Sequence, residues 1–295
     1  MCEKAYFIGA HAYSAPFIEP ALYLVATPIG NLADITLRAL QVLAGVDILA
    51  CEDTRVTRVL LERYGITKNP FLYHEYNAQK AGPKLLAALA ENKSVALVSD
   101  AGTPLISDPG FRLVEEARKA GYKTVPIPGA SALLAALVAT GLPTDSFFFA
   151  GFLSARKAQR QKRLEQLKAI PATLIFYESP HRLIETLQDM VSLFSADRPA
   201  AICRELTKKF ETVDVAYLGD LLENYKKQAH IRGEIVVLVG EGFSSLQVMS
   251  DQEIDAMLLE LAYTHSAAQA AALVAKKTGL KKQELFRRLN FLKDI

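Results

Sequence analysis

The chain is poor in the patterns that announce the commonest sites. Its three cysteines, Cys2, Cys51 and Cys203, show no paired spacing. That excludes a disulfide framework and a Cys-based zinc site, and suits a reducing cytosol. The five histidines (His11, His74, His181, His230 and His265) are scattered and no H-E-x-x-H occurs, so no catalytic metal is indicated. No basic-then-apolar leader opens the sequence, and the longest apolar run, from Gly129 to Leu142, is too short to span a bilayer. A soluble, cytoplasmic protein with no membrane partner is expected. Neither G-x-G-x-x-G after the first strand nor G-x-x-x-x-G-K-[ST] is present, which argues against a Rossmann dinucleotide site and a P-loop. A G-x-S-x-G elbow is also missing, which weighs against a serine hydrolase. There is no internal repeat and no low-complexity segment.

What is present is a folded composition. An apolar share of 51% with 22% charged residues excludes wholesale disorder, and 295 residues suit two or three domains. The net charge of +2 is small, but basic residues gather in two places. Arg156, Lys157, Arg160, Lys162, Arg163 and Lys168 face only Glu165, and Lys276, Lys277, Lys281, Lys282, Arg287, Arg288 and Lys293 face only Glu284. Such clusters are either solvated helix faces or a nucleic-acid footprint.

Residues 1–20 read as a loose N-terminal extension. From 21 to 142, short apolar runs alternate with helical periods. The runs Leu22–Ala26, Val46–Ala50, Phe71–Tyr73, Val95–Val98 and Thr124–Ile127 are mostly continuous, as strands buried on both faces of a parallel sheet should be. Gly45, Gly65 and Gly121 are expected to stop the intervening helices. The rhythm predicts a doubly wound α/β domain. A break at Gly141–Asp145 opens a second α/β domain, 143–242, with strands near Phe147–Gly151, Thr173–Tyr177, Ala200–Cys203, Thr212–Ala216 and Glu234–Val239. Ser179 as N-cap and Pro180 as first helical residue predict a helix to about Phe194. Residues 240–250 read as a linker. A helical, basic module then fills 243–295, with a capping box at Ser266-Ala-Ala-Gln269 and Gly279 separating two helices.

In open α/β sheets ligands bind beyond the carboxyl ends of the strands. The five exits of the first domain are Thr27-Pro28-Ile29-Gly30-Asn31, Glu52-Asp53-Thr54-Arg55, His74-Glu75, Ser99-Asp100-Ala101-Gly102-Thr103-Pro104 and Pro128-Gly129-Ala130-Ser131-Ala132. All are polar, Gly-rich or charged and lie on one sheet edge. A purely structural loop set needs glycine and proline, but not carboxylates at three exits and a helix-opening Gly-Ala-Ser at another. A ligand cleft is expected here, with Pro28, Gly30, Asp100, Gly102, Thr103, Pro104, Pro128, Gly129, Ser131 and Ala132 on it.

These exits, taken with Phe176-Tyr-Glu-Ser-Pro-His-Arg182, Arg204-Glu-Leu-Thr-Lys208 and Arg232-Gly-Glu-Ile235, resemble in order the ribosomal RNA small subunit methyltransferase I family of the tetrapyrrole methylase superfamily. The resemblance covers roughly 21–240, and its one departure, Pro180 where the family often has Thr, falls harmlessly at a helix start. It implies two α/β domains with S-adenosylmethionine folded between them, and 2′-O-methylation of a decoding-centre cytidine in 16S rRNA of the small ribosomal subunit. It further implies that Ser99–Pro104 approaches the methionine part, that Pro128–Ala132 lines the same cleft, and that Tyr177 and Gly233, Glu234 and Ile235 approach the adenosine. The superfamily also suggests a homodimer.

The chemistry of that ligand agrees. A sulfonium and an amino-acid zwitterion need acceptors, carboxylate donors and an apolar slot. Gly102 and Gly129 permit close backbone approach. The helix opened by Gly129-Ala130-Ser131 offers free N–H groups, and Asp100 could accept from the ammonium. A ribose hydroxyl also needs a proton acceptor or an orienting group. Glu52, Asp53, Glu178 and Glu205 are candidates, with Arg55, Arg182, Arg204 and Lys208 placed to hold phosphate. The plainer alternatives are an ion pair for Arg204-Glu205 and helix-dipole charge for Glu52-Asp53. Arg156, Lys157, Arg160, Lys281, Lys282 and Arg288 are the remaining RNA-binding candidates. Rival functions are methylation of a tetrapyrrole precursor and a non-catalytic ribosome-assembly role.

Overall fold

The computed structural model describes residues 4–241, 251–278 and 280–293, which divide into two compact units. The first comprises 1–167 and 172–240. It opens with an antiparallel hairpin, β1 (Ala5–Ile8) and β2 (His11–Ser14). This corrects the expectation of a loose extension. Tyr6 is buried in the core of the first sheet and stacks on Tyr13, and the Phe7 N–H donates to Tyr64 O at 2.8 Å.

The first sheet follows the expected alternation: β3 (Leu22–Val25), α1 (Leu37–Gly45), β4 (Ile48–Cys51), α2 (Thr54–Arg63), β5 (Phe71–Leu72), α3 (Ala78–Ala90), β6 (Val95–Val98), α4 (Phe111–Lys119) and β7 (Thr124–Ile127). The strands run parallel in the order β5-β4-β6-β3-β7. The central β6 is buried at all four positions, the physical reason its sequence is a continuous apolar run. Gly65 and Gly121 follow α2 and α4 with positive φ, as helix stops should. Gly45 does not stop α1 in that way. It is the helix's last residue, and its missing side chain makes room for Ile18 and Pro16.

The next helix, α5 (Ala132–Ala139), packs against the second sheet, where Leu133, Ala136 and Leu137 join Ile175, Ala201, Val236 and Leu238 in one core. The two sheets therefore form one body. The second contains β8 (Phe147–Phe152), α6 (Lys157–Leu167), β9 (Thr173–Glu178), α7 (Leu183–Phe194), β10 (Pro199–Arg204), β11 (Thr212–Tyr217), α8 (Leu218–Lys226) and β12 (Ile235–Val239). Its order is β11-β10-β12-β9-β8, with only β8 and β9 parallel. The helix expected from Ser179-Pro180 begins at Leu183 instead, because residues 180–182 form a turn whose Arg182 and Leu183 N–H groups both donate to Ser179 O.

The second unit, 168–171 with 241–295, is helical: α9 (Asp251–Ala262), α10 (Ala267–Thr278) and α11 (Lys282–Lys293). Ile254, Leu258, Ala270, Ala271, Val274, Leu285 and Leu289 form its core. The capping box exists as read: Ser266 N–H donates to Gln269 Oε1 at 3.1 Å, and Gln269 N–H to Ser266 Oγ at 3.4 Å. Linker residues 242–250, Gly279, and the side chains of Lys276, Lys277 and Lys293 lie outside the described residues.

Candidate active site

The first and fourth strand exits are tied to each other. Thr27 and Gly102 exchange backbone hydrogen bonds of 2.9 and 3.0 Å, with Gly102 at φ +78°, a conformation that disfavours any side chain. Beside this bridge lies a cavity of about 340 Å3, within the range of small-molecule sites. Of the residues expected at the cofactor, Gly102, Thr103, Ser131, Ala132, Tyr177, Gly233, Glu234 and Ile235 line it. The remaining cofactor candidates fall elsewhere. Pro28, Gly30 and Asp100 line a second cavity, also about 340 Å3. Pro104 is buried, and Pro128 and Gly129 line neither cavity. Gly129 is small for a packing reason, since a Cβ there would sit 3.0 Å from Ala26 Cβ.

Sequence reasoning missed several cavity residues, among them Asp108, Phe152 and Leu206. Ser107-Asp108 repeats the Ser99-Asp100 pattern one loop turn later, a signal that could have found it. Burial pushes the Asp108 carboxyl up, as does the Asp100 charge, against a stabilising bond from Ser99. No ion pair among the described residues neutralises it. Burial likewise raises Asp100 and Glu52, and for Glu52 the nearby Asp100 and Asp108 charges add to it.

Asp53 behaves differently. It caps α2 by accepting from Arg55 N at 2.8 Å and holds the Arg55 guanidinium through both carboxylate oxygens. Arg55 therefore brings its carboxyl down to about 2. The group is a fixed anion near neutral pH, so its role as general base is corrected to that of cap and Arg55 partner.

In the second sheet, Glu178 lines the cavity but its carboxylate is spoken for. Oε1 accepts from Ser179 N and the Arg182 guanidinium, and Oε2 from the Thr186 hydroxyl at 2.6 Å. Both candidates, Glu178 as base and Arg182 as phosphate ligand, are thereby corrected to partners in a structural pair, with the carboxylate buried and the guanidinium part-exposed. Arg204 donates to Thr212 Oγ1 at 3.2 Å. Glu205 accepts from Glu234 N at 3.0 Å and from Lys208 Nζ at 2.8 Å, and these bonds lower its pKa. The Lys208 stem lies so close over Gly30 that a Cβ there would collide with it, and its Nζ also reaches Glu234 at 3.0 Å.

Among the basic candidates, Arg156, Lys157, Lys281 and Lys282 are exposed. Arg160 is not. It is 2% exposed and bonded to Asp189 at 2.7 Å, because α6 packs this side chain onto α7. Arg288 is also committed, bridging Asp251 and Asp255 of α9. Neither is a free phosphate ligand. On α11 Phe286 is 37% exposed, while Leu285 and Leu289 are buried.

Residues 21–222 match the tetrapyrrole (corrin/porphyrin) methylase family, and 248–293 match the RsmI C-terminal HTH domain. A Mesorhizobium japonicum protein named ribosomal RNA small subunit methyltransferase I is 58% identical across 97% of both chains. The chain belongs to that family of tetrapyrrole methylases. Its relative of the same name from Escherichia coli O157:H7 is 46% identical over 93% of this chain and 96% of its own. Solved structures of low identity share the fold. Diphthine synthase superposes with a TM-score of 0.59 at 19% identity, covering 74% of this chain and 89% of its own. Uroporphyrin-III C-methyltransferase from Thermus thermophilus, complexed with S-adenosylhomocysteine, gives 0.53 at 19%, covering 75% and 97%. The helix-turn-helix match of the C-terminal unit was not read from the sequence, where only a helical, basic module with a capping box and a glycine break stood out.

Proposed function

We propose that this chain transfers a methyl group from S-adenosylmethionine to the ribose 2′-hydroxyl of a decoding-centre cytidine in 16S rRNA, acting on the small ribosomal subunit as a cytoplasmic homodimer. The observation that carries the reading is the near full-length identity to relatives named for ribosomal RNA methylation, together with the C-terminal match. Likeness to the uroporphyrin enzyme covers three quarters of the chain and is one of fold.

The first cavity fits the cofactor. Ser131 makes no side-chain capping bond, so the first-turn N–H groups of α5 other than that of Leu133, which meets the Tyr177 hydroxyl, are left for a carboxylate. Asp108 offers an un-neutralised carboxylate to a cationic ligand, and Ile29, Phe152, Leu206 and Val236 provide an apolar slot. When bound, S-adenosylmethionine supplies a methyl group on a sulfonium centre. The residues around it hold the ligand in line with the acceptor and exclude water. In the transfer the ribose oxygen gains the methyl carbon, sulfur keeps the electron pair of the broken bond, and the hydroxyl proton passes to an acceptor. Of the sequence candidates Glu52 and Glu205 remain, and Asp100, whose carboxyl burial raises as it does that of Glu52, joins them.

Tritium transfer from labelled S-adenosylmethionine to small subunits, with uroporphyrinogen as the competing acceptor, tests the reading. Digested RNA should yield a ribose-methylated cytidine. Label on a base, or on the tetrapyrrole alone, would overturn it.

A further inference from the structure

Transfer between two large ligands needs two adjoining sites whose reacting atoms meet within about 3–3.5 Å. The cleft has such a pair. The second cavity equals the first in volume, and Ile29, Ala101 and Glu234 line both. We infer that this second cavity, between α2 and the first and fourth strand exits, is the acceptor site and receives a single nucleotide swung out of the RNA, base first. The inference rests on the methyl-transfer reading above.

Three observations give the cavity this character. Its α2 wall is apolar: Val56 and Val59, one helical turn apart, line it and stay 43% and 57% exposed. Exposed aliphatic side chains beside a cleft suit the face of an unstacked base, which proteins commonly hold between apolar groups. Behind them, the Thr57 hydroxyl is buried without a hydrogen-bond partner, meeting only the weak Cys51 thiol. An unsatisfied hydroxyl in a cavity wall is a ready contact for a polar base edge. At the rim stands Lys208, a cation held by Glu205 and Glu234 on the wall shared with the first cavity. Those two carboxylates take two of its three ammonium hydrogens, and the third suits the phosphate attached to the inserted ribose. Pro28, Gly30 and Asp100 then serve the acceptor and not the cofactor.

Val59→Trp fills the cavity from an exposed helix position. Calorimetry with S-adenosylmethionine should show unchanged affinity, while methyl transfer to small subunits falls by about 100-fold or more. Val56→Trp, on the same rim, should do the same and serves if thermal melting shows Val59→Trp to be misfolded. Full transfer by a folded variant would overturn the acceptor assignment. So would lost cofactor affinity, which would join the cavity to the first. A wild-type protein that transfers nothing to subunits would remove the methyl-transfer reading and the acceptor site with it, an outcome distinct from an active wild type matched by active variants.

Discussion

Arg160 and Asp189 show how a charge that looks like a surface feature can be an interior one. Their side chains are 3% and 6% exposed and joined at 2.7 Å, with Gln161 donating to the other Asp189 oxygen at 2.8 Å. Removing Asp189 leaves the buried guanidinium with only the exposed Glu185 carboxylate, 3.5 Å away, and losing the close partner of a buried charge costs about 3–5 kcal/mol. Asp189→Ala should therefore lower unfolding stability by that amount in denaturant titration, with no change specific to RNA. A fully stable variant would mean that water reaches the guanidinium. Gly102→Val tests a different residue-scale constraint. A β-branched side chain at φ +78° is strained, and the strain would disturb the backbone bridge to Thr27 at the cavity's edge. Calorimetry should show S-adenosylmethionine affinity reduced by about tenfold or more in a protein that remains folded. Normal affinity would show that the loop tolerates the change without moving the cavity wall. The sequence made Gly102 legible because a Gly-rich strand exit has few other uses. It misled at Arg160, because a basic cluster on a helix does not say which member the helix phase turns inward.

Elements carry their own tests. The α2 cap depends on an ionised Asp53, whose carboxyl sits at about 2, below its usual value. A depressed carboxyl stabilises the fold fully above its unfolded pKa, and that contribution is lost as pH falls through the folded value. The thermal-stability advantage of wild type over Asp53→Asn should thus be present at pH 6, shrink below about pH 4 and vanish near pH 2. A constant difference across that range would remove the charge from the cap's role. In the helical unit, Ser266→Ala should cost about 1 kcal/mol in the stability of α10, since it unmakes the capping box. The strands of both sheets and this cap were legible because period and capping chemistry are local. The start of α7 was not. Ser179-Pro180 offers a good local cap, but the buried Glu178 takes the Ser179 N–H and holds Arg182, delaying the helix by a turn.

At the scale of the whole chain, the proposed function assigns the chemistry to the first unit and the grip on RNA to the second. The first holds both cavities, and the α/β architecture that builds them could be read from strand–helix alternation. What could not be read was that α5, which follows the last strand of the parallel sheet, packs against a mixed sheet, since antiparallel pairing in that second sheet depends on contacts distant in sequence. The second unit keeps its own core and leaves Lys281, Lys282 and Arg287 exposed, while Arg288 is spent on Asp251 and Asp255. Phosphate contacts release counterions, so each lysine that touches RNA steepens the fall of affinity with salt by roughly one unit of log–log slope. Lys281→Ala with Lys282→Ala should therefore weaken binding to small subunits and flatten the salt dependence by roughly one to two units, leaving S-adenosylmethionine affinity unchanged. Arg288→Ala should act otherwise. With its two acidic partners released, α11 loses its tie to α9, and the main effect should be a lower melting temperature of the helical unit. Any loss of RNA binding would then follow the fraction unfolded and disappear on cooling. A salt slope flattened by Arg288→Ala in the fully folded protein would return that arginine to the RNA-facing surface, and an unchanged slope in the double lysine variant would take the helical unit out of RNA binding altogether.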